Sequence, residues 1–273
     1  MKGIEVFPQT NDSFFYSCIS VSKWGYEQFI PDHVLTFQKS GETHIFHQQG
    51  TFIFKPNRIL LARKNQFARS LKIPSNGNYE VISVILKSEH LKKYAVDNNL
   101  IPEKSYKGKN NLLLKSDSYL RSYFESLLPY LKDPEKSNEK LVFSKVTEAI
   151  ELLLNISPGL SKLLFDFNDP HKIDLEEFML KNFQYNAPIK NFARLTGRSL
   201  AGFKRDFRNL FNTTPSRWLK NKRLEEAHYL IHKKRRKPAD FYLEIGFESL
   251  PHFYTAFKEK YGVTPNESLG SNN

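Results

Sequence analysis

Four residues in the last third of the chain have the types and the spacing of an anion-binding helix face. Ala201 is followed by Lys204, Arg205 and Arg208, and these positions share one side of a helix. Lysine and arginine donate hydrogen bonds to phosphate oxygens and guanine edges, and a small residue near the start lets the helix come close. The opposite side is apolar and consists of Leu200, Phe203, Phe207, Leu210 and Phe211. The pattern predicts a helix that packs on a core with one side and offers cations to DNA with the other. The alternative is an ordinary solvated basic face.

The composition favours a polyanionic partner. The chain has 273 residues, a formal net charge of +12 and a pI of about 9.5. Such a balance is typical of proteins that bind nucleic acids and, less often, of proteins that bind anionic membranes. Residues 171–273 carry 19 of the 41 lysines and arginines but only 11 of the 29 acidic residues, so the positive charge is concentrated in the last third.

Targeting and redox features indicate a cytoplasmic protein. Cys18 is the only cysteine, which excludes an intrachain disulfide and fits a reducing compartment. The first residues lack the apolar segment of a signal peptide, and the longest apolar runs are far too short to cross a bilayer. We therefore expect a soluble, cytoplasmic protein without a membrane partner.

The segment that carries the basic face occurs twice, with an offset of 50 residues. The matching pairs are Ser199 and Ser249, Leu200 and Leu250, Phe203 and Phe253, Phe207 and Phe257, Phe211 and Tyr261, Thr214 and Thr264, Pro215 and Pro265, and Leu219 and Leu269. A short segment that ends at a glycine, Gly197 or Gly246, precedes each copy. Each copy has the pattern helix, tight turn, helix, which predicts two helix-turn-helix units.

Polar residues mark the predicted helix starts. Ser199 and Ser249 stand where a side-chain oxygen would cap the second helix of each unit. Thr214 and Thr264 each place a capping hydroxyl before a proline that suits the first position of a further helix. Glu267 completes a capping box with Thr264.

The first part of the chain predicts a β domain. Residues 13–87 contain six short segments rich in β-branched and aromatic residues, separated by the turn signals KSGE, KPN and SNGN. Many short strands without intervening helices favour an antiparallel barrel or sandwich. A short helix, capped by Ser88, is predicted to follow.

Two amphipathic helices are predicted after the β region. One apolar stripe runs over residues 117–131 and a second over residues 142–153, with the polar connector KDPEKSNEK between them. Each stripe must be buried against something. The stripes either cover the β domain or form a subunit interface, and both readings stay open.

The segments GRSLAGFKRDFRNLFNTTPSRWLKNKRLEEAHYLI and GFESLPHFYTAFKEKYGVTPNE resemble the DNA-binding domain of AraC/XylS transcriptional regulators. The resemblance covers residues 174–269 and includes the RLEEA segment, the GFES turn and the FKEKYGVTP block. It implies two helix-turn-helix units joined by a long helix over residues 215–232, with recognition helices that enter successive major-groove segments. The first half of the chain resembles the cupin-like barrel and helical pair that accompany this domain. In such regulators the barrel senses a ligand or partner protein, and the helices often dimerise.

The resemblance also implies roles for individual residues. The base-reading positions are Ala201, Lys204 and Arg205 in the first unit and Leu250, Pro251 and Thr255 in the second. Thr255 is short where a long polar or basic side chain is common, and Pro251 has no N–H, so we expect the first unit to carry most base discrimination. The remaining predicted DNA contacts are Ser199, Arg208, His252 and Lys258, the last three to phosphates. The run KKRRK at residues 233–237 is either a backbone-contacting loop or a solvated one.

The predicted fold is α+β and multidomain. Residues 1–116 are predicted as a cupin-like antiparallel β-barrel with a sensing role, residues 117–170 as a helical linker or dimerisation region, and residues 171–273 as an all-α domain with two helix-turn-helix units. The predicted function is sequence-specific DNA-binding transcription regulation, by a homodimer. Its expected partners are double-stranded DNA, a small-molecule ligand or regulatory protein at the N-terminal domain, and RNA polymerase if the protein is an activator. Neither an enzymatic activity nor a cofactor is expected.

Two other functions compete with this one: a cupin-type metalloenzyme with a basic tail, and a protein-binding adaptor with DNA binding as its output. The metal hypothesis rests on His33, His44 and His47 near Glu42. His44 and His47 are three residues apart and would point to opposite faces of a strand, and the His-x-His pair usual in cupin metal sites does not occur. We therefore predict no metal site and expect exposed or hydrogen-bonded histidines. Cys18 lies in an apolar run and is predicted to be a buried small hydrophobe.

Overall fold

The computed structural model describes residues 13–25, 29–47, 50–100, 106, 108–115, 118–168 and 170–270. Its contacts divide the chain into two compact units, Met1–Asn168 and Asp169–Asn273, which we call the N-terminal domain and the C-terminal domain. The helices from residue 118 to residue 164 belong to the same compact unit as the strands.

Antiparallel strands form the first half of the N-terminal domain. Those in the described residues are β1 (Phe14–Ile19), β2 (Lys23–Trp24), β3 (Phe29–Ile30), β4 (His33–Ser40), β5 (Glu42–His47), β6 (Gly50–Phe54), β7 (Arg58–Ala62), β8 (Gln66–Phe67), β9 (Arg69–Ile73), β10 (Tyr79–Leu86) and β11 (Asn111–Leu114). They form a sheet of order β1-β10-β4-β7-β11, a second of order β2-β9-β5-β6 and the pair β3-β8. The antiparallel β architecture is thus confirmed. Within the described residues the pairings give three separate sheets, so closure into one barrel stays a prediction.

Helices cover one face of the five-stranded sheet. They are α1 (Ser88–Asp97), α2 (Ser118–Ser126), α3 (Leu128–Lys132), α4 (Glu139–Ile156) and α5 (Ser161–Leu164). Phe37 of β4 and Val84 of β10 lie in one buried cluster with Phe124 of α2 and Val146 of α4. Each large apolar side chain contributes about 1.5–3 kcal/mol when fully buried. The apolar stripes of the helix pair therefore cover the sheet within the domain. Because these side chains are already buried there, they cannot also form a subunit interface.

The start of α1 departs from the prediction. Ser88 is the first residue of the helix and not its cap, and the preceding Lys87 makes no side-chain capping bond. Instead Oδ1 of Asp32, from the segment before β4, accepts hydrogen bonds from both the N–H and the hydroxyl of Ser88 at 2.9 and 3.0 Å. A residue 56 positions away satisfies the helix end, and local sequence carries no signal of that.

The C-terminal domain is helical. Its helices are α6 (Leu175–Asn182), α7 (Ile189–Leu195), α8 (Leu200–Phe211), α9 (Pro215–His232), α10 (Pro238–Phe241), α11 (Leu250–Tyr261) and α12 (Pro265–Gly270). Helices α7 and α8 form the first helix-turn-helix unit, α10 and α11 form the second, and α9 links them over the predicted range. None of the helices in the described ranges is long and apolar enough to cross a membrane.

The two helix-turn-helix units are built in the same way. Each has an aromatic core on one side of its second helix: Phe207 packs edge-to-face on Trp218 of α9 in the first, and Phe253 and Phe257 pack together in the second. Both second helices end in a residue with left-handed backbone, Asn212 (φ +51°) and Gly262 (φ +77°), 50 positions apart. The repeat in the sequence is thus a repeat in backbone geometry.

Candidate nucleic-acid interface

The start of α8 is fixed by capping and by a glycine turn. The hydroxyl of Ser199 accepts a hydrogen bond from the N–H of Gly202 at 3.1 Å, as predicted. Gly197 has φ of +65°, and a Cβ at this position would collide with the backbone of His171 and Lys172. Only glycine fits both the conformation and the close approach, so the turn holds α8 at a set angle to the chain that enters the domain.

The two sides of α8 differ as predicted in their exposure. Phe203 and Phe207 are fully buried. The predicted contact residues Ser199, Ala201, Lys204, Arg205 and Arg208 are all exposed. The helix therefore presents three cations and one small residue on a solvent-facing surface, which we call the α8 face.

Two residues of the predicted apolar side of α8 are exposed. Leu200 is 41% exposed and Leu210 is 45% exposed. They stand at the two ends of the helix, whereas Trp218 of α9 contacts the middle and the last turn through Phe207 and Phe211. The core covers a shorter length of α8 than its apolar pattern indicates.

An acidic residue organises the cations around α8. The carboxylate of Asp206 accepts a hydrogen bond from Nε of Arg198 at 3.2 Å and lies 3.5 Å from Nζ of Lys172 and 3.3 Å from Nη2 of Arg205. These partners, Arg198 first, hold the pKa of Asp206 below its usual value. Arg198 also donates to the carbonyl oxygens of Ile173 and Thr196. Sequence reasoning missed Asp206, because an acid within a basic helix face predicts no partner by itself.

The second unit has the same kind of helix cap and exposed helix face as the first, but the exposed side chains are shorter. The hydroxyl of Ser249 accepts from the N–H of His252 at 3.4 Å, which confirms this cap. The predicted contact residues Pro251, His252, Thr255 and Lys258 are all exposed on α11. Leu250, which the resemblance places among the base-reading positions, packs partly buried against the core of the unit.

Ion pairs tie α11 to the linking helix. Lys220 of α9 lies 2.8 Å from Glu259, and Glu225 of α9 lies 3.4 Å from Lys260. The bond from Lys220 lowers the pKa of Glu259. The acid on α11 is thus neutralised by a partner, and Lys258 keeps the exposed surface of that turn basic.

The predicted threonine caps behave differently from each other. Thr264 and Glu267 form a reciprocal capping box, with bonds of 2.7 Å from the N–H of Thr264 and 3.3 Å from the N–H of Glu267. Thr214 makes no side-chain capping bond, although Pro215 occupies the first turn as predicted. Proline without an N–H leaves one donor fewer to satisfy, so the helix forms without this cap.

The run at residues 233–237 has two kinds of residue. Arg235 donates to the carbonyl oxygen of Leu269 at 3.2 Å, and Arg236 makes two hydrogen bonds to Glu244 at 2.8 and 2.9 Å. Lys233, Lys234 and Lys237 are exposed. The arginines are therefore structural, and the lysines leave both earlier readings of the loop open.

The histidines considered as metal ligands do not form a cluster in the described part of the N-terminal domain. Nε2 of His44 lies 3.3 Å from Oε2 of Glu42, while His33 is fully buried and its Nδ1 accepts from the N–H of Lys64 at 3.3 Å. In the part of the chain that the structure describes, no group of three or more His, Cys, Asp or Glu residues is placed to hold a metal ion. Cys18 is half-buried and its Sγ is 3.9 Å from Oδ1 of Asn78, so it is less buried than predicted. It lies on an edge strand, where one side is open.

Two family models match the chain. A model described as a helix-turn-helix domain matches residues 192–270, and a model described as the ExsA N-terminal regulatory domain matches residues 33–167. The first match contains α8, α9 and α11. The second runs from β4 to the end of the N-terminal domain.

Known regulators are similar in sequence. The virulence regulon transcriptional activator VirF of Yersinia enterocolitica is 29% identical over 127 residues, which are 45% of this chain and 46% of VirF. The HTH-type transcriptional regulator ExsA of Pseudomonas aeruginosa is 28% identical over 111 residues, 41% of this chain and 40% of ExsA. The chain thus spans less than half the length of these relatives. Among solved structures, ToxT of Vibrio cholerae aligns over 94% of this chain and 98% of its own, with 17% identity and a TM-score of 0.44.

Proposed function

We propose that this chain is an AraC-family transcriptional regulator, a sequence-specific DNA-binding protein that acts in the cytoplasm. The matches to a helix-turn-helix model and to a regulatory-domain model support this assignment. The observation that carries the proposal is the contrast across α8. Phe203 and Phe207 are fully buried, whereas Lys204, Arg205 and Arg208 are exposed. A helix built in this way fits the major groove, where its cations meet base edges and phosphates.

The first unit supplies the base reading in this proposal. Lys204 and Arg205 stand on the α8 face near Ala201, whose small side chain allows the helix to approach the groove floor. Arginine pairs with guanine through two parallel hydrogen bonds, so Arg205 contributes discrimination as well as affinity. Arg208, one turn after Lys204, contacts phosphate, and the exposed Ser199 lies where the helix start meets the backbone.

The second unit binds DNA mainly through contacts to the phosphate backbone of the duplex. Pro251 and Thr255 are exposed but short and uncharged, so they contact the groove by shape alone, whereas the exposed face of the first unit carries cations. His252 and Lys258 are exposed beside them and donate to phosphates. The asymmetry predicts an operator in which one half tolerates base changes better than the other.

Selection of bound duplexes from a random pool tests the proposal. The recovered sequences should contain two blocks about one helical turn, about 10 bp, apart. The variant with Lys204→Ala and Arg205→Ala should lose the selected operator. A matched variant with Lys132→Ala and Lys140→Ala, two exposed cations of the N-terminal domain, removes the same charge and should keep it. Failure of every duplex to bind at moderate ionic strength, or equal binding by both variants, would contradict the proposal.

The N-terminal domain receives the regulatory signal in this proposal. The match to a regulatory-domain model over residues 33–167 supports that role. The signal is a small molecule or a regulatory protein. Thermal-shift screening against small molecules should raise the melting temperature in the first case, and affinity purification of the tagged chain should yield a stoichiometric protein in the second.

Two further parts of the proposal concern assembly and output. The protein forms a homodimer on DNA, through surfaces other than the apolar stripes of α2 and α4, since those stripes are buried within the domain. It acts as an activator that contacts RNA polymerase, and the similarity to VirF, a transcriptional activator by name, favours this output. Sedimentation analysis with and without operator DNA tests the first point. Transcription in vitro with purified RNA polymerase tests the second.

A further inference from the structure

The side chain of Arg223 joins three separated segments of the C-terminal domain. Arg223 lies in α9, and its Nε donates to the carbonyl oxygen of Phe183 at 2.8 Å and its Nη2 to that of Tyr185 at 2.9 Å. Its Nη1 donates to the carbonyl oxygen of Gly246 at 3.1 Å. Residues 183 and 185 lie just before the first helix-turn-helix unit, and Gly246 is the turn of the second. One guanidinium therefore connects the linking helix to the turn of the second unit and to the loop that leads into the first unit.

The loop before the first unit also meets the second unit directly beside this guanidinium. Gly246 has φ of +92°, and a Cβ built there would lie 2.6 Å from the carbonyl oxygen of Gln184. Nδ2 of Asn186 donates to Oε1 of Glu248 at 2.7 Å. The loop before the first unit and the turn of the second are thus in backbone contact and share a side-chain hydrogen bond.

Arginine has the geometry that this position needs. Its planar guanidinium carries donors in a fixed fork, so three carbonyl oxygens can be bound at once from different directions. Lysine carries its donors at one point on a flexible stem. Burial lowers the pKa of Arg223 to about 10, and at that value the side chain is still charged at neutral pH. All three carbonyls belong to the main chain, so their positions are tied to the positions of the units.

We propose that Arg223 is a positioning residue that fixes the distance and phase between α8 and α11, and thereby the spacing of the two DNA blocks that the protein accepts. This inference rests on the proposed DNA-binding function. Helix α9 by itself fixes only where each unit is attached to it. The bonds of Arg223 to residues on both sides remove the remaining freedom of one unit to tilt against the other.

The first test measures spacing preference. Affinity is measured for the selected operator and for copies with 1 or 2 bp inserted between its blocks. The wild-type protein should lose roughly tenfold or more on insertion, because the second helix no longer meets its groove. Arg223→Met should bind an isolated first block like the wild type and should lose less than about threefold on insertion. Arg236→Met is the matched control, since Arg236 bonds Glu244 and lies over the ring of Phe241, all within the second unit. It should keep the wild-type penalty.

The second test needs no DNA. Spin labels at Asn209→Cys and Val263→Cys, in a Cys18→Ser background, report the distance between the exposed ends of α8 and α11 in the full chain. Arg223→Met should broaden the distance distribution, and Arg236→Met should not. If Arg223→Met does not fold, Arg223→Lys takes its place, because it keeps the charge but cannot bridge three carbonyls.

The possible outcomes separate this inference from the proposed function. A folded Arg223 variant with an unchanged distance distribution and an unchanged insertion penalty would overturn the positioning role. A wild-type protein that binds no duplex would overturn the proposed function. In that case the spin-label distances still decide whether Arg223 holds the two units in place.

Discussion

Nη2 of Arg205 lies 3.3 Å from Oδ1 of Asp206, its neighbour on α8. The cation that we propose to read bases is therefore paired, in this structure, with an acid of its own helix. Asp206 also binds Arg198, whose side chain is only 10% exposed, and it stands close to Lys172. In the proposed complex, Arg205 would exchange this ion pair for contacts to DNA, whereas Arg198 would keep its bond to Asp206.

Replacement of Arg205 should reduce discrimination more than general affinity. Arg205→Ala is expected to cost about 1–3 kcal/mol on the selected operator and little on random DNA, because a base contact is lost. Arg208→Ala should weaken binding to both by similar factors, since a phosphate contact carries no sequence information. Titrations of operator and scrambled duplexes measure both. Equal losses on the two duplexes for Arg205→Ala would assign that side chain to phosphate.

Replacement of Asp206 should have opposite effects on binding and on stability. Asp206→Asn removes a negative charge next to the α8 face and frees Arg205, so affinity for random DNA should rise. The largely buried Arg198 loses its charged partner, so the melting temperature should fall. Asp240→Asn, an exposed acid of α10, removes the same charge elsewhere and is the control. Unchanged melting of Asp206→Asn would mean that its bond to Arg198 is not stabilising.

Binding should weaken steeply with salt, in proportion to the phosphate contacts. The logarithm of the affinity is expected to fall linearly with the logarithm of the salt concentration, with a slope of about 0.9 per phosphate contact. Lys258→Ala should reduce this slope by about 1, and Thr255→Ala should leave it unchanged. The measurement is a set of titrations between low and moderate ionic strength. A slope that Lys258→Ala does not alter would remove Lys258 from the phosphate contacts.

The glycines of the C-terminal domain should differ in their tolerance of alanine. Gly197→Ala combines a strained backbone with a collision against His171 and should cost at least about 3 kcal/mol of unfolding free energy. Gly262→Ala has the same sign of φ, but nothing lies within 4 Å of the added Cβ, so about 1 kcal/mol is expected. At the equivalent position of the first unit, Asn212→Gly should be neutral or slightly stabilising. Chemical denaturation of the three variants provides the comparison. Equal costs for Gly197→Ala and Gly262→Ala would mean that the close contact at Gly197 relaxes.

The N-terminal domain should lose stability on mild acidification. Burial, followed by the nearby charges of Lys64 and Arg63 and partly offset by Asp166, lowers the pKa of His33 from 6.5 to about 3. Between these values only the unfolded chain takes up the proton, so the free energy of unfolding falls as the pH drops from about 6.5 towards 3. The loss should be about 2 kcal/mol at pH 5.

His33→Gln should flatten this dependence. Some slope will remain, since the pKa of His90 in the same domain is also lowered, chiefly by burial. Thermal melts at pH 5 and pH 7.5 give the comparison. A slope that is identical in the variant would show that His33 does not govern the acid sensitivity.

Local signals made much of the C-terminal domain predictable. Ser199 and Ser249 cap their helices, Gly197 and Gly246 make the turns, and α9 spans the predicted residues because a proline starts it. Each of these signals acts within a few residues of its own position, where sequence patterns are informative. The exposure of the nine predicted contact residues follows from the same periodicity. Their contacts with DNA remain predictions.

Long-range contacts escaped prediction. Asp32 satisfies the end of α1 in place of a local cap, and Asp206 collects partners from three segments. No sequence signal singled out Arg223, because its three carbonyl partners lie 40, 38 and 23 residues away. The two-residue strands β2, β3 and β8 are set by pairing with distant segments, and such short runs have no period to detect.

The shared core of β4, β10, α2 and α4 bears on how the protein can be dissected. A fragment that stops at residue 116 would lack α2, α3, α4 and α5. Leu35, Phe37, Ile82 and Val84 would then lose their cover and form part of a broad apolar surface in contact with water. Such a fragment should aggregate when it is expressed. A fragment meant to contain the N-terminal domain alone must therefore extend to residue 168, because a cut after β11 would remove α2, α3, α4 and α5, which cover the apolar face of the sheet.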